Sequence, residues 1–510
     1  MTTNVSTNLH SESSHQTRPA APSDAPLSVA IVGTGFGGIG MAIRLKQAGI
    51  HDFVMLEREG RIGGTWRDNI YPGAACDVPS VLYSFSFEPG YHFPRFYARQ
   101  PDILAYQEHC VRKHRLDQHI HLNCSVRSTR WDEGAACWQI ETTSGRYFRA
   151  RALVPATGQL GTPELTNIPG LKTFAGPSFH SANWRPDVAL AGKRVAIIGT
   201  GASAAQLLPH VVRQAAHVTL FQRTPPYILP RPDRPAPRWE TWLYGHVPPL
   251  RWLARSIVYL AHESLGLAFY SLPVFEAVMR RVLLAHLWLR VRDPELRRKL
   301  TPTYAAGCKR ILVDNGLYTA VTQPNCDVIT ESVARIGPDH VETTDGIKHP
   351  ADILIMATGF ASQTFSGTFE VTGRDGRTLA NAWRNGAYAY RGVSVNGFPN
   401  LFMLYGPNTN LGHSSIIYMM ESQIRYVMGA LKALQRAPGT ALEVSQDAET
   451  GWNAALQKAL GNTVWTNGGC SNWYQGQDGR ITNNWSGPSF TYRRAVRRFD
   501  AEHYLSTKPA

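Results

Sequence analysis

The sequence of 510 residues predicts an α/β fold in which one βαβ unit is inserted into another and carries a helical subdomain. Two observations predict this arrangement. A strand, a glycine-rich turn, a helix and a second strand follow one another twice, and a short apolar strand closes on Ala-Thr-Gly at 156–158 and again at 357–359. Because the second unit lies between the two tripeptides, the chain is expected to leave the first unit at one tripeptide and to re-enter it at the other.

Composition excludes several classes of protein. Hydrophobic residues make up 43% of the chain and charged residues 18%, which is typical of a folded globular protein and excludes global disorder. The seven cysteines are scattered and contain no CxxC pair, which indicates a reducing, cytoplasmic compartment and argues against a structural metal site or a dithiol redox centre. The segment 1–26 is rich in Ser, Thr, His and Pro and predicts a disordered tail, and no apolar run is long enough to span a membrane.

The first βαβ unit carries a dinucleotide-binding fingerprint. The apolar strand 29–32 runs into the turn that starts with Gly33, which permits the tight bend. Gly35 lets the backbone approach a pyrophosphate, and Gly38 allows the helix to pack closely. The second strand ends at Glu57, nineteen residues after the last glycine, where a carboxylate binds the ribose hydroxyls of an adenosine. A surface glutamate at a strand end is the less favoured alternative.

The second βαβ unit repeats the pattern with a different ending. Its turn carries Gly199 and Gly201, and Ala204 replaces the third glycine, as the fingerprint allows. Arg223 stands nineteen residues after Ala204, where a ribose-binding carboxylate otherwise stands, and Thr224 follows it. An arginine there suits a 2′-phosphate, so this unit is expected to bind NADP rather than NAD, in preference to the alternative of a solvated arginine.

Two different dinucleotide sites limit the reactions that the protein can catalyse. If one site binds FAD and the other NADPH, electrons enter the flavin by hydride transfer, and the sequence contains no CxxC dithiol to receive them. Molecular oxygen is then the expected acceptor, so the two fingerprints together indicate a flavin-dependent oxygenase.

Two longer segments resemble the Baeyer-Villiger monooxygenases, which are FAD- and NADPH-dependent flavoproteins. The first segment matches FxGxxxHxxxW through Phe174, Gly176, His180 and Trp184. The second runs from Gly63-Gly-Thr65-Trp66 through Tyr71-Pro-Gly to Asp77. One position departs from the family pattern, since Arg185 follows the tryptophan where the family usually has Pro or Asp. The resemblance implies insertion of one oxygen atom of O2 next to a ketone carbonyl, through a C4a-peroxyflavin, to give an ester or lactone.

The same resemblance implies roles for individual residues. Arg310 would stabilise the peroxide anion and the tetrahedral adduct, and Asp77 would orient it. Lys309 would join Arg223 and Thr224 at the 2′-phosphate. The remaining cofactor contacts that the resemblance implies are Thr65, Trp66, Asp77, Tyr83 and, at the nicotinamide end, Trp473. Phe174, Gly176, His180 and Trp184 would support the site, and His180 is not expected to act as a base.

The predicted organisation has three folded parts after the tail. Residues 27–160 form the first part of a discontinuous FAD domain, 161–349 form an NADPH domain with a helical insert at about 235–300, and 350–510 form the second part of the FAD domain with a C-terminal segment. Two alternatives stay open, an N- or S-oxygenating flavin monooxygenase and a flavoprotein associated with a lipid surface. Nucleic acid is not an expected partner, because no basic run carries interleaved aromatic residues. The ketone and the oligomeric state are not fixed by the sequence.

The helical insert is rich in aromatic and basic residues. Helix packing is the favoured interpretation of its aromatic residues, ahead of a substrate tunnel or contact with lipid. The formal charge of the chain is +14, for which bound dinucleotide phosphates are one reason, but residues 251–300 hold nine Arg or Lys and four Asp or Glu. The cofactor sites do not account for that local excess. The aromatic residues concerned are Trp239, Trp242, Trp252, Tyr259, Phe269, Phe275 and Trp288.

Overall fold

A computed structural model describes residues 25–508 apart from 165, 166, 271, 272, 366 and 477, so all but the end of the expected tail 1–26 lies outside the described residues. The first βαβ unit forms part of a seven-stranded sheet in which Leu27–Val32 lies between two parallel neighbours. Val29 to Val32 are buried, as expected of a strand covered on both faces. In spatial order the strands are Glu370–Thr372, Val126–Asp132, Cys137–Thr142, Tyr147–Pro155, Leu27–Val32, Phe53–Leu56 and Ile120–His121.

The helix that follows the first glycine-rich turn spans Phe36–Gln47. Nine of its residues are buried, and it packs against the long helix Ile416–Arg436. The contact places C-terminal residues of the chain against the first βαβ unit. Both parts of the chain that flank the inserted unit therefore contribute to one core.

The second βαβ unit forms a sheet of five parallel strands. The strand Ile353–Met356 lies in this sheet, paired with Arg194–Ile198. This pairing corrects the expectation that strand 353–356 returns the chain to the first unit, since the boundary placed at 350 falls before a strand of the second sheet. The strand is apolar throughout, so its sequence does not reveal which sheet it joins. In spatial order the strands are Cys326–Ile329, His217–Phe221, Arg194–Ile198, Ile353–Met356 and Ser178–His180.

Smaller elements complete the described fold. Val333–Ile336, His340–Thr343 and Lys348–Pro350 form an antiparallel sheet, while Ile228–Leu229 pairs with Leu312–Val313 and Ala441–Val444 pairs with Tyr504–Thr507. The remaining α-helices are Thr65–Asp68, Gln100–Lys113, Ala202–Val212, Arg238–His246, Pro248–Gly266, Pro273–Arg290, Pro294–Lys299, Leu317–Val321, Leu379–Ala382, Gln446–Leu460, Val464–Asn467 and Ser489–Ala495.

The helical subdomain contradicts the packing interpretation of its aromatic residues. Phe269 is buried and Tyr259 partly buried, but the other five are exposed. Amphipathic spacing shows which side chains share a helix face but not whether that face is covered. Among the described residues, no helix combines the length and apolarity needed to cross a membrane. The exposed aromatic residues are Trp239, Trp242, Trp252, Phe275 and Trp288, at 66, 60, 70, 48 and 61%.

Two cysteines are joined, which the scattered cysteines and the expected reducing compartment did not predict. Cys308 and Cys470, 162 residues apart in sequence, form a disulfide, and the other five cysteines are free and buried. The absence of CxxC spacing excludes close pairs alone, and it carries no information on cysteines that the fold brings together. The disulfide links the loop that carries Arg310 to the loop that carries Trp473.

Candidate active site

A cleft of about 1250 Å³ is lined by residues of both βαβ units. This volume exceeds the range of about 300–1,000 Å³ that is usual for a single small-molecule site. Gly33, Gly35, Gly199 and Gly201 lie in its lining. The third positions of the two fingerprints, Gly38 and Ala204, lie outside the lining and are buried in their helices. The two fingerprints therefore open into one shared cavity.

The first glycine of each turn lies against an Ala-Thr-Gly tripeptide. A Cβ atom on Gly33 would lie 2.7 Å from the carbonyl oxygen of Ala156, and one on Gly199 would lie 2.3 Å from that of Ala357. Both glycines also have a positive φ, +107° and +113°. Side chains are excluded at both positions, so each tripeptide is the structural partner of the turn in its own sheet.

Two helices begin at the cleft without a side-chain cap. Gly35 precedes the helix Phe36–Gln47 and Gly201 precedes Ala202–Val212, and neither helix has an acidic residue in its first turn. Their first N–H groups have no side-chain acceptor, and the positive end of each helix dipole faces the cleft. Both helix ends are therefore suited to an anionic group such as a pyrophosphate.

Glu57 lines the cleft and is held by the protein. Its exposed fraction is 4%, so it is not the surface glutamate of the alternative interpretation. One carboxylate oxygen accepts hydrogen bonds from the backbone N and the Oγ1 of Thr34, at 3.1 and 2.5 Å. The other accepts from Arg67 at 2.8 Å. The strand end thus presents an oriented carboxylate to the cleft.

Arg223, Thr224 and Lys309 come together at the second unit's side of the cleft. Burial lowers the pKa of Lys309, and the charge of Arg223 lowers it further. Within the described part of the chain, neither cation is paired with a carboxylate. Two neighbouring cations without a counter-charge are suited to a phosphate group. The backbone of Thr224 is fixed by the hydroxyl of Thr200, which donates to its carbonyl oxygen at 3.1 Å.

The segment 174–184 contains Ser178–His180, which is an edge strand of the second sheet. A Cβ atom on Gly176 would lie 2.2 Å from the carbonyl oxygen of Asp352, so only glycine fits there. Phe174 packs into the small apolar cluster beside this strand. Trp184 packs edge-to-face on Phe179, with the ring centroids 5.3 Å apart. Three of the four signature positions are explained by packing.

His180 ends the edge strand Ser178–His180 and is buried. It is 2% exposed, and its Nδ1 accepts a hydrogen bond from the backbone N of Ala182 at 3.1 Å. Burial lowers the pKa of His180, so the ring is neutral near neutral pH. Its ring lies edge-to-face against Phe360, which follows the second Ala-Thr-Gly. These contacts agree with a supporting role.

Trp66 and Tyr83 form a second wall of the cleft. The indole N–H of Trp66 donates to the hydroxyl of Tyr83 at 3.1 Å. Thr65 begins the short helix that carries Trp66, and the preceding Gly64 would place a Cβ only 3.3 Å from the Cα of Gly35. The second signature segment is therefore packed directly on the first fingerprint.

Arg310 and Asp77 form an ion pair in the cleft. The Nε and a terminal nitrogen of Arg310 both donate to one oxygen of Asp77, at 3.0 and 2.6 Å. The side chains are 29 and 22% exposed, so water screens the pair only in part. The charge of Asp77 is the largest cause of a raised pKa at Arg310, which keeps the guanidinium charged. The two residues are 233 positions apart, and spacing alone does not pair them.

Comparison with known proteins identifies the family. The family described as "Pyridine nucleotide-disulphide oxidoreductase" matches residues 30–234. A protein of Pseudomonas aeruginosa named Baeyer-Villiger monooxygenase is 43% identical over 97% of this chain and 94% of its own length. This chain belongs to the Baeyer-Villiger monooxygenase family. A relative of the same name from Streptomyces coelicolor is 43% identical over 94% of this chain and 93% of its own length.

A solved structure shows the same fold. Cyclohexanone monooxygenase from Rhodococcus sp. Phi1, bound to NADP+, aligns with a TM-score of 0.86 at 26% identity, covering 95% of this chain and 100% of that chain. The predicted fold class and the resemblance drawn from the two signature segments are therefore confirmed. Three further residues line or support this cleft and were not predicted from the sequence of this Baeyer-Villiger family member.

Two tyrosines beside Arg310 were not predicted. In this Baeyer-Villiger monooxygenase, Tyr405 lines the cleft and donates to the side-chain oxygen of Asn410 at 2.6 Å. Tyr474 is fully buried, and burial raises its pKa to about 12, against the opposing charge of Arg310. Burial also raises the pKa of Tyr405. Both phenols are therefore protonated at neutral pH. No spacing signal marks them, although Tyr405 precedes a Gly-Pro-Asn segment that looks like a family segment.

Gln206 connects the two units and was also missed. It lies on the helix Ala202–Val212, and its side-chain oxygen accepts from the hydroxyl of Tyr71 at 3.0 Å and from the backbone N of Ala75 at 3.3 Å. Its amide nitrogen donates to the carbonyl oxygen of Ala75 at 3.0 Å. The loop that leads to Asp77 is thereby fixed to the helix of the second fingerprint.

Trp473 lies at the rim of the Baeyer-Villiger cleft. It is 36% exposed, and its ring lies 4.5 Å from the ring of Tyr474. The Cys308–Cys470 disulfide fixes this loop to the loop of Lys309 and Arg310. Residues predicted from two distant segments therefore meet at one side of the cleft.

Proposed function

We propose that this member of the Baeyer-Villiger family inserts one oxygen atom of O2 next to the carbonyl of a ketone, giving an ester or a lactone, with FAD as bound cofactor and NADPH as electron donor. The observation that carries the proposal is the Arg310–Asp77 ion pair in a cleft lined by two dinucleotide fingerprints. The two relatives named Baeyer-Villiger monooxygenase support this reaction over N- or S-oxygenation.

The first unit fits FAD. The uncapped helix at Gly35 supplies N–H groups for the pyrophosphate, and Glu57 supplies an oriented carboxylate for the ribose. Trp66 and Tyr83, fixed by their hydrogen bond, form a wall of the same cavity. When bound and reduced, FAD supplies the activation of O2.

The second unit fits NADPH. The uncapped helix at Gly201 faces the cleft, and Arg223 and Lys309 supply two cations for the 2′-phosphate, beside Thr224. Trp473 at the rim is our assignment for the nicotinamide end. We assign 27–160 and the chain from about 370 to the FAD domain, and the intervening chain to the NADPH domain, according to the two sheets.

Arg310 acts by charge and position. A permanently charged guanidinium stabilises negative charge that develops on oxygen during attack on a carbonyl, and it does so most strongly where water is excluded. Asp77 holds two nitrogens of Arg310 and leaves its remaining N–H groups free to donate. The protonated phenols of Tyr405 and Tyr474 add no negative charge that would oppose this role. Arg310 is thus the proposed catalytic residue and Asp77 its positioning residue.

The experiment follows NADPH consumption and product formation by the flavin-loaded protein against a panel of ketones. Products should carry one added oxygen by mass. Arg310→Ala should still allow NADPH to bleach the flavin while ester formation is lost, and Arg310→Lys should restore only part of it because lysine lacks the fork of donors. Arg194→Ala, which removes an exposed ion pair with Asp352, is the matched control. Ester formation by Arg310→Ala at the control's rate would refute the assigned role.

The compartment is a further part of the proposal. We propose the cytoplasm, because five of the seven cysteines are free thiols. The Cys308–Cys470 disulfide makes this assignment testable. Alkylation of freshly lysed cells under acid quench should show whether these two cysteines are oxidised in the cell.

A further inference from the structure

The outer side of the helical subdomain is apolar and exposed. It is formed by Arg238–His246, Pro248–Gly266 and Pro273–Arg290, and we call it the helical face. Twenty large apolar side chains of the described chain are exposed, and thirteen of them lie between 239 and 289. Leu289 and Trp252, for example, are 81 and 70% exposed. Exposed apolar surface on this scale marks an interaction site.

The helices of this face are firmly packed on their inner side. Arg255 donates to the carbonyl oxygen of Val81 at 2.6 Å, and the hydroxyls of Tyr259 and Ser489 lie 3.1 Å apart. On the same helix Leu253, Ile257 and Leu260 are exposed at spacings that place them on the opposite side. Trp252, seven residues before Tyr259, is also exposed, near the start of the helix. The exposed residues therefore belong to an ordered amphipathic structure with an uncovered outer face.

The helical face carries more positive than negative charge. Between 238 and 292 the sequence has seven arginines and three acidic residues. All three acids are used within the protein: Glu240 pairs with Arg234, Glu263 binds Ser489, and Glu276 accepts from the backbone N of Ala306. The exposed arginines on this side are Arg238, Arg281, Arg290 and Arg292, whereas Arg280 hydrogen-bonds to the hydroxyl of the buried Tyr227. The outer side thus combines tryptophan and aliphatic side chains with uncompensated positive charge.

We propose that the helical face is a docking surface for an anionic lipid bilayer. Helices that lie in a membrane interface combine Trp, Phe and Leu with arginine, and tryptophan is enriched at headgroup level. The arginines would contact lipid phosphates. A second copy of the chain is the alternative occupant, but two-fold pairing of this face would set like charges against each other.

The docking surface and the active-site loop are parts of one packed structure. Phe269 at the base of the helices lies so close to Gly307 that a Cβ there would be 2.2 Å from its ring. Glu276 holds the neighbouring Ala306. The proposal goes beyond the proposed reaction and does not rest on it, since vesicle binding is measured without turnover.

Vesicle flotation with the flavin-loaded full-length protein tests the proposal. The probes are phosphatidylcholine vesicles with and without phosphatidylglycerol. The protein should float with the anionic vesicles and be released as the ionic strength rises from about 0.1 to 1 M, because the screening length falls from about 10 to 3 Å. Failure to float with anionic vesicles at the lower salt overturns the proposal.

Two pairs of variants separate this face from general charge and hydrophobicity. Arg281→Gln with Arg290→Gln should weaken binding about 30-fold, at about five-fold for each arginine. The control, Lys172→Gln with Lys193→Gln, removes the same charge from exposed sites elsewhere and should change binding little. Equal loss in both pairs overturns the proposal, because the attraction would then be general.

The tryptophans provide the independent readout. Trp252→Ser with Trp288→Ser should lower binding about 10-fold or more for each residue, whereas Tyr147→Ser, at a site 53% exposed, should leave it unchanged. Flavin content and NADPH use check that these variants fold. Sedimentation equilibrium distinguishes the other occupant: a dimer that the tryptophan variant abolishes, without vesicle binding, assigns the face to a second copy and overturns the lipid proposal.

Discussion

Replacing Asp77 by Asn removes one charge while keeping the shape of the side chain. In the structure a single oxygen of Asp77 accepts two hydrogen bonds from Arg310, at 3.0 and 2.6 Å. A hydrogen bond to a charged group contributes about 1.5–3 kcal/mol, and a neutral one about 0.5–1.5 kcal/mol. Asp77→Asn should therefore weaken the positioning of Arg310 by about 1–2 kcal/mol. If all of that loss reaches the transition state, ester formation slows roughly 5- to 30-fold.

Asp77→Ala should lower ester formation and stability more than Asp77→Asn does. It leaves the guanidinium of Arg310 without a counter-charge in a site where its side chain is 29% exposed. Removal of one partner from a buried ion pair lowers the free energy of unfolding by about 3–5 kcal/mol. Partial access of water reduces that loss here to roughly 2–3 kcal/mol. Flavin bleaching by NADPH should be retained in both variants, because the second fingerprint is untouched.

The assay combines three measurements on the flavin-loaded protein. Product mass gives ester formation, flavin absorbance gives reduction by NADPH, and denaturant unfolding gives stability. Asp352→Asn is the matched control, since its ion pair with Arg194 also has a 2.6 Å contact but is 47 and 33% exposed. Such a surface pair contributes about 0–1 kcal/mol and lies outside the lining of the cleft. The positioning role would be refuted if Asp77→Asn and Asp77→Ala formed ester at the same rate as the control and were as stable as the control.

Three further predictions follow from single contacts. Arg223→Ala should raise KM for NADPH roughly 10- to 100-fold and leave NADH unchanged, because one charged contact to the 2′-phosphate is lost; steady-state kinetics with both cofactors checks it. Burial raises the pKa of Glu449 from 4.5 to about 7, so the folded state favours its protonated form. Its stabilising effect is full below about pH 4.5 and is lost as pH rises to about 7, by at most roughly 3 kcal/mol. Denaturant unfolding should show that decline in the parent protein, and Glu449→Gln, which still accepts from the backbone N of Asn396, should abolish it. Reduction of Cys308–Cys470, or Cys308→Ala, should lower stability by about 2–4 kcal/mol, since the bridge closes a loop of 162 residues; an unchanged midpoint in thiol reductant would contradict that expectation.

The local parts of the fold were predictable. Each fingerprint spans one turn and the start of one helix, and its glycines are required by contacts inside a single βαβ unit, such as Gly33 against Ala156. Strands 29–32 and 53–56 and the helix after Gly35 lie as the apolar pattern predicts. Periodicity and turn chemistry act over a few residues, which is why sequence alone is informative at this scale.

The errors all concern non-local facts. Strand 353–356 is apolar on both sides, so nothing in it distinguishes the two sheets, and only its pairing with Arg194–Ile198 decides. The cysteine spacing excluded close pairs, yet the fold joins Cys308 to Cys470. Trp252 and Trp288 have the spacing of packed residues, yet both are exposed, and the guanidinium of Arg297 lies over the ring of Trp288.

The sequence by itself determined the two βαβ units with their glycine-rich turns, the presence of Glu57 in one and Arg223 in the other at matching positions, and the family resemblance. Each of these is written in short segments whose chemistry is local. The tertiary structure decided that Arg310 meets Asp77, that Tyr405 and Tyr474 lie near Arg310, that Gln206 fixes the loop of Asp77, and that the helical face is exposed. Those contacts join residues far apart in sequence, and chain packing alone sets the distances between them.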